Sequence, residues 1–204
     1  MIRLISFDLQ GVVSDATFSD TFWLEELPKL YAKRHNVDVA VAKRSLGDMF
    51  KAMGKYDLRY YDDAYWGAEL GFSTADIITH IVPQPRVEKL LIEYIAGLSL
   101  PVVLLSTTTN RFIDYELGLN KQYFNKIYSC VDDFSTGGKT ADVFGAIARE
   151  WGVKPNEIVH IGDNQEMDID NALKAGVRAI LYTGNPGAVV AQINHLLDGV
   201  DEGR

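Results

Sequence analysis

The chain has a single cysteine, Cys130, among its 204 residues. That excludes an intrachain disulfide and any zinc site built from several thiolates, and it suits a reducing compartment. Positive charge is also scarce: 20 Lys+Arg stand against 28 Asp+Glu, a formal net charge of −8. Broad binding to nucleic acid or to an anionic membrane needs a basic footprint, so neither partner is expected. Long apolar runs are missing too. The N-terminal run stops at Asp8, and the apolar stretch at 98–105 contains Pro101. Both fall well short of the ~20 apolar residues a membrane helix requires, and the N-terminus lacks the layout of a signal peptide. A soluble, cytoplasmic protein is expected. The acidic balance still leaves room for a small anionic substrate held by local cations, amides or a bound metal.

Hydrophobic residues make up 47% of the chain, enough for a substantial core. Short apolar, β-branched runs at 2–7, 102–105, 126–130, 158–161 and 179–182 read as buried strands. Helical patterns at 86–96, 110–117, 141–151 and 167–175 lie between them. Continuous apolar strands alternating with amphipathic helices predict an α/β fold, a Rossmann-like parallel sheet covered on both faces. One segment breaks the alternation: 18–81 holds helical patterns only, with a kink or restart expected at Pro28. It ends at Pro83-Gln84-Pro85, a stiff linker. The expected organisation is a core of 1–15 and 84–204 carrying an all-helical insert, 16–83, with a loose tail at 199–204.

Chemistry-bearing residues collect at predicted strand ends. Asp8 closes the first apolar run, where a carboxylate is costly to bury unless it is paired or bound to a cation; a turn residue ahead of Gly11 is the plainer reading. Asp163 and Asp168 flank a loop after the fourth run. Their spacing turns both toward one point, as a Mg²⁺ site needs, or makes them a turn residue and a helix N-terminal charge.

Four segments together carry a resemblance. F-D-L-Q-G-V-V at 7–13, V-V-L-L-S-T at 102–107, G-G-K-T-A-D-V-F at 137–144 and I-G-D-N-Q-E-M-D at 161–168 resemble, in order, the four motifs of the haloacid-dehalogenase-like superfamily. The resemblance implies that Asp8 is a nucleophile forming an aspartyl phosphate. Mg²⁺ would be held by Asp8, the main-chain carbonyl of Gln10 and Asp163, with Asp168 binding or orienting the metal shell. Ser106, with Thr107 beside it, would hold phosphoryl oxygens, and Lys139 would neutralise them. Gln10 departs from the pattern, because phosphatases of the superfamily usually carry a second Asp there as general acid and base. Gln does not titrate, and losing such assistance costs on the order of 10²–10⁴ in rate.

The implied activity is Mg²⁺-dependent hydrolysis of small phosphorylated metabolites, slowed by Gln10. The alternatives are a catalytically weakened phosphate-ester sensor, a substitution introduced to trap a substrate, or a 2-haloacid dehalogenase. The last fits poorly, since those enzymes work without metal and lack the G-D-x-x-x-x-D form. The insert between the first two motifs matches the position of a C1-type cap. Its segment 55–66, K-Y-D-L-R-Y-Y-D-D-A-Y-W, offers Arg59 and several aromatic rings to a substrate, or packs the helices together. Asp132 and Asp133 either border the metal site or are solvated loop residues, and His160 reads as an ordinary histidine.

Overall fold

The computed structural model describes residues 1–82 and 84–198; Pro83 of the proline linker and the expected loose tail at 199–204 lie outside them. Five strands, β1 (Leu4–Phe7), β2 (Val102–Ser106), β3 (Lys126–Ser129), β4 (Ile158–Gly162) and β5 (Arg178–Leu181), form one parallel sheet in the order β3-β2-β1-β4-β5. β1 is central, with later strands added first on one side and then on the other. The crevice above its carboxyl end is therefore the switch point where α/β sheets bind their ligands. The fold is the expected α/β, Rossmann-like one.

Between β1 and β2 lie α1 (Thr17–Thr21), α2 (Leu27–His35), α3 (Val39–Met53), α4 (Asp63–Leu70) and α5 (Thr74–Ile78); α6 (Lys89–Gly97) then leads into the sheet. α7 (Asn110–Leu117) follows β2, α8 (Cys130–Phe134) and α9 (Ala141–Glu150) follow β3, α10 (Asn171–Lys174) follows β4 and α11 (Pro186–Leu197) follows β5. Side-chain alternation divides the core into two layers. Ile5, Phe7, Leu104 and Ile161 pack with Leu91, Ile95, Ile113 and Ile193 of α6, α7 and α11. Leu4, Val103, Leu105 and Ile158 face Val143, Phe144 and Ile147 of α9 and Ala172 of α10. No helix among the described residues is long and apolar enough to cross a membrane.

The helices between β1 and β2 build two smaller clusters. Leu27, Leu46, Trp66 and Leu70 form one, and Phe18, Phe22, Ile78 and Ile81 form the other, which also takes in Phe112 of α7. The kink expected at Pro28 takes the form of a π-helical turn at Phe22–Glu26 running straight into α2. Pro28 has no N–H to offer and its ring crowds the carbonyl four residues back, so the ladder widens before it.

Several boundaries differ from expectation. β1 starts at Leu4 instead of residue 2, and Cys130 opens α8 instead of closing a strand. The helix expected at 167–175 is a π turn, Gln165–Asp170, continued by α10. α4, α8 and α11 were not anticipated. α4 is crowded with aromatic residues that read equally well as loop or core, α8 is one turn long, and the Gly-Asn-Pro before α11 reads as a turn.

Candidate functional site

The chain leaves β1 at Asp8, whose Oδ1 accepts from the Leu9 N–H at 2.7 Å. Lys139 stands just before Thr140, the N-cap of α9, where a cation is unfavourable against the helix dipole. Its side chain turns inward instead and is 2% exposed. Its Nζ lies 2.5 Å from Asp8 Oδ1 and 2.5 Å from Asp168 Oδ1. Burial favours neutral lysine, but the carboxylates of Asp168 and Asp8 more than offset it and hold Lys139 above its ordinary range. Burial likewise favours a neutral Asp168, yet Lys139 and His160 pull it well below the usual carboxylate range. Asp8 behaves differently: burial, together with Asp168 and Asp163, outweighs Lys139 and pushes it up to about 7.

Asp168 is held at both oxygens. Oδ1 accepts from Lys139 and from His160 Nε2 at 3.0 Å, and Oδ2 accepts from the Asn164 N–H at 2.9 Å. His160 is fixed from below, since its Nδ1 lies 2.9 Å from the hydroxyl of Ser6, its register partner on β1. Burial pushes the imidazole below its ordinary value despite Asp168. The neutral ring therefore donates from Nε2 to Asp168 and accepts from Ser6 at Nδ1. This chain of contacts from the sheet to Asp168 had no signal in residue spacing. An inward-facing Ser6 and His160 in otherwise apolar strands were the available clue.

Asp163 faces this group from the exposed rim, raised above its ordinary value by burial on the inner side and by the charge of Asp168. Two glycines make the approach possible. A Cβ on Gly11, which has φ +81°, would run into the Asp163 carboxylate, and one on Gly162 would run into Asp168. Asp8, Asp163 and Asp168 can each bring a carboxylate oxygen within 4.8 Å of the others. Three hard oxygen donors converging at this separation fit a small divalent cation such as Mg²⁺.

Gln10 sits two residues beyond Asp8. Its Nε2 donates to Glu116 Oε1 at 2.7 Å, and the Ser14 hydroxyl donates to Glu116 Oε2 at 2.6 Å. Glu116 lies on α7, is 4% exposed, and burial pushes its carboxyl up to about 7 against the pull of these two donors. Gln10 also lines a cavity of about 250 Å³ with Thr108, Ser19, Asp20 and a wall of Trp23, Phe50, Tyr60 and Tyr61. Ser106 closes β2, fully buried, and its Oγ accepts from the Thr108 N–H at 3.3 Å; Thr107 beside it is half-buried. The Thr108 hydroxyl is buried with no hydrogen-bond partner among the described residues. A stranded hydroxyl on a cavity wall is what an acceptor-rich guest would satisfy.

The 55–66 segment divides. Tyr60 and Tyr61 reach the cavity wall, whereas Trp66 packs inward and donates from Nε1 to the Arg59 carbonyl at 2.9 Å. Arg59 is absent from the cavity lining: its guanidinium chelates Asp57 at 2.6 and 2.9 Å and is half exposed. Lys55 and the Tyr56 hydroxyl both bond Glu166, at 2.5 and 2.9 Å, and the Asn171 amide bridges Tyr56 to the Lys139 carbonyl. On the far side Asp63, fully buried, accepts from Thr109 Oγ1 at 2.5 Å and pairs with Arg111. The helical segment is thus fastened to the sheet at two separate places. Asp132 and Asp133 serve as anchors, accepting from the backbone N–H groups of Asn110 and Ser129.

Residues 2–176 match the family model for haloacid dehalogenase-like hydrolases. The chain belongs to this family. Among curated relatives, this hydrolase is 20% identical over 197 residues to the GMP/IMP nucleotidase YrfG of Escherichia coli, covering 94% of this chain and 87% of that one. Among solved structures it is similar to a phosphatase of the family from Thermococcus onnurineus, with a TM-score of 0.71, 14% identity and 97% and 99% of the two chains covered. It also resembles a family enzyme from Bacteroides thetaiotaomicron, solved as a variant with magnesium and inorganic phosphate. There the TM-score is 0.63 at 16% identity, with 91% and 96% of the two chains covered.

Within the hydrolase, Asp8, Lys139, Asp163 and Asp168 gather around one point above β1 and β4; Gln10, two residues on from Asp8, meets Glu116 and the cavity, and Ser106 ends adjacent β2. Arg59 is held apart from them by Asp57. Thr108, Glu116 and His160 join the site without having been anticipated.

Proposed function

We propose that this hydrolase is a Mg²⁺-dependent phosphohydrolase of small phosphate monoesters, working through an aspartyl phosphate on Asp8. The observation that carries the reading is the clamping of buried Lys139 between Asp8 and Asp168, with Asp163 opposite, at the switch point of the sheet. A carboxylate nucleophile and a dianionic ester repel one another, so the site needs concentrated positive charge. Bound Mg²⁺ would add charge neutralisation and lower the cost of transition-state charge, held by Asp8, Asp163 and the main-chain carbonyl of Gln10. Asp168 orients that shell and Lys139 through bonds it already makes.

Asp8 attacks phosphorus, the new Asp8–phosphorus bond forms, and the ester oxygen departs with its electron pair. Lys139, Ser106 and the unpartnered Thr108 hydroxyl bind the phosphoryl oxygens. Water then attacks phosphorus, its proton passes to a phosphoryl oxygen, the Asp8–phosphorus bond breaks, and phosphate leaves. Gln10 cannot protonate the departing alcohol, so esters with good leaving groups react best.

The helical segment acts as a C1-type cap that reads the leaving group. Its aromatic wall suits a flat ring, and the likeness to a GMP/IMP nucleotidase favours purine nucleoside monophosphates as the substrate class. A phosphate-ester sensor is the second reading, favoured by the non-titrating Gln10. The 2-haloacid dehalogenase reading is disfavoured by three carboxylates that suit a cation.

The test is phosphate release from p-nitrophenyl phosphate, IMP and GMP with Mg²⁺. Turnover lost in Asp8→Asn and raised on the order of 10²–10⁴ in Gln10→Asp is the expected result. Metal-dependent nucleotide binding without turnover in either the unaltered chain or Gln10→Asp would leave the sensor.

A further inference from the structure

We infer that Glu116 is a positioning residue that fixes the side-chain amide of Gln10 in one orientation, so that its carbonyl oxygen faces the cavity and orients the water that attacks the phosphorylated Asp8. The inference rests on the phosphohydrolase reading for its kinetic consequence, and on geometry alone for the orientation.

An isolated glutamine amide is ambiguous, because a flip exchanges a donor face for an acceptor face at little cost. Glu116 removes the ambiguity. Its Oε1 lies 2.7 Å from the Gln10 amide nitrogen, and its Oε2 is taken by the Ser14 hydroxyl at 2.6 Å. The Gln10 NH₂ donates to Oε1 and the Ser14 hydroxyl occupies Oε2, so it is the NH₂ face of Gln10 that meets Glu116. Glu116 is 4% exposed and does not line the cavity, whereas Gln10 does. The amide nitrogen therefore points away from the cavity and the carbonyl oxygen toward it. Ser14 is itself held by backbone pairing with Gln10 and with Val87, so the acceptor comes from a braced framework.

A carbonyl oxygen at this place has a specific use. It accepts a hydrogen bond from a water and turns a lone pair of that water toward phosphorus, and it takes no proton. In the step, the water oxygen bonds to phosphorus, the phosphorus–Asp8 bond breaks, and the proton given up passes to a phosphoryl oxygen of the product. The same carbonyl has nothing to donate to a departing alkoxide. Gln10 thus assists water attack and gives a departing alkoxide nothing, a lack that does not slow the first half with p-nitrophenolate, which leaves without a proton.

Glu116→Gln keeps the shape and burial but can donate as well as accept, so the Gln10 amide is free to take either face. Rapid mixing with p-nitrophenyl phosphate and Mg²⁺ separates the two halves: the initial burst of p-nitrophenol reports phosphorylation of Asp8, and the following steady state reports water attack. We expect Glu116→Gln to slow the steady state about tenfold, the worth of one well-placed hydrogen bond, while the burst stays within about twofold. Equal losses in both phases, or none in either, would overturn the inference.

A second measurement does not need turnover. In ¹⁵N-labelled protein, the Gln10 side-chain NH₂ signals, identified by their loss in Gln10→Met, should exchange slowly with solvent and lose protection in Glu116→Gln. Rapid exchange in the unaltered chain overturns the fixed amide. A chain that releases no p-nitrophenol overturns the phosphohydrolase reading, and the exchange result then decides the orientation by itself.

Discussion

Glu116 is buried with an elevated carboxyl, and that combination makes folding stability depend on pH in a definite direction. Burial raises it from 4.5 to about 7, partly countered by the hydrogen bonds from Ser14 and Gln10. A folded acid with a raised value binds its proton more tightly than the unfolded chain does. Its contribution is therefore complete below about pH 4.5 and is lost as pH rises through about 7. The loss amounts to on the order of 3 kcal/mol. In EDTA, urea denaturation should show the unaltered chain losing stability relative to Glu116→Gln between pH 5 and pH 8. A stability gap independent of pH would contradict the elevated carboxyl. Residues at this scale were legible where a motif fixed their place. Asp8, Lys139, Asp163 and Asp168 stand in register with short, ordered patterns. Glu116 and His160 do not, because Gln10 and Ser6, which fix them, lie 106 and 154 residues away in sequence, and such pairings arise only from the folded topology.

At the scale of elements, the two attachments of the helical segment differ in kind. Lys55 and Glu166 are both well exposed, and such pairs contribute little. Asp63 is fully buried on α4 and meets Thr109 and Arg111 at the start of α7. Asp63→Asn leaves Arg111 without its counter-charge, and because that side chain is 45% exposed solvent moderates the cost to about 1–3 kcal/mol. Hydrogen exchange followed by mass spectrometry should show faster exchange in α3 and α4 with β1 and β4 unaffected. Acceleration throughout the sheet would mean that the pair stabilises the whole fold and not this attachment. The long amphipathic helices were legible from period alone. α4 was not, since Tyr65 and Trp66 face different surroundings within two residues, and neither was the π turn at Gln165–Asp170 that carries Asp168 toward Lys139.

For the whole molecule, a net charge of −8 and three convergent carboxylates served by one buried lysine make the metal-free state electrostatically loaded. A cation that binds only the folded chain adds about 2.7 kcal/mol at about a hundredfold excess over its Kd. In a chain of this size that corresponds to a rise in Tm of about 5–10 °C. Mg²⁺ should raise the melting temperature in this way, and Asp163→Ala should abolish most of the rise; an undiminished rise would remove Asp163 from the metal site. The parallel sheet was legible from alternating apolar runs and helices. The strand order was not, because periodicity reports which faces are buried and is silent on which strand lies beside which.

One detail of the connections reaches further. Where the chain departs from the sheet and where it comes back, the two passes are stapled together: Asp15 N–H donates to the Arg86 carbonyl at 2.9 Å, Glu88 N–H to the Val13 carbonyl at 2.7 Å, and Ser14 pairs with Val87. Seen from β1, everything between these passes leaves and rejoins the sheet through one stem whose foot is already closed. Loop closure depends only logarithmically on length, so the foot tolerates a large cassette, a small one or a bare turn. The helical segment and the sheet are thereby separable parts of the chain. A lineage can lengthen, shorten or replace the one while the carboxylates around Lys139 stay as they are.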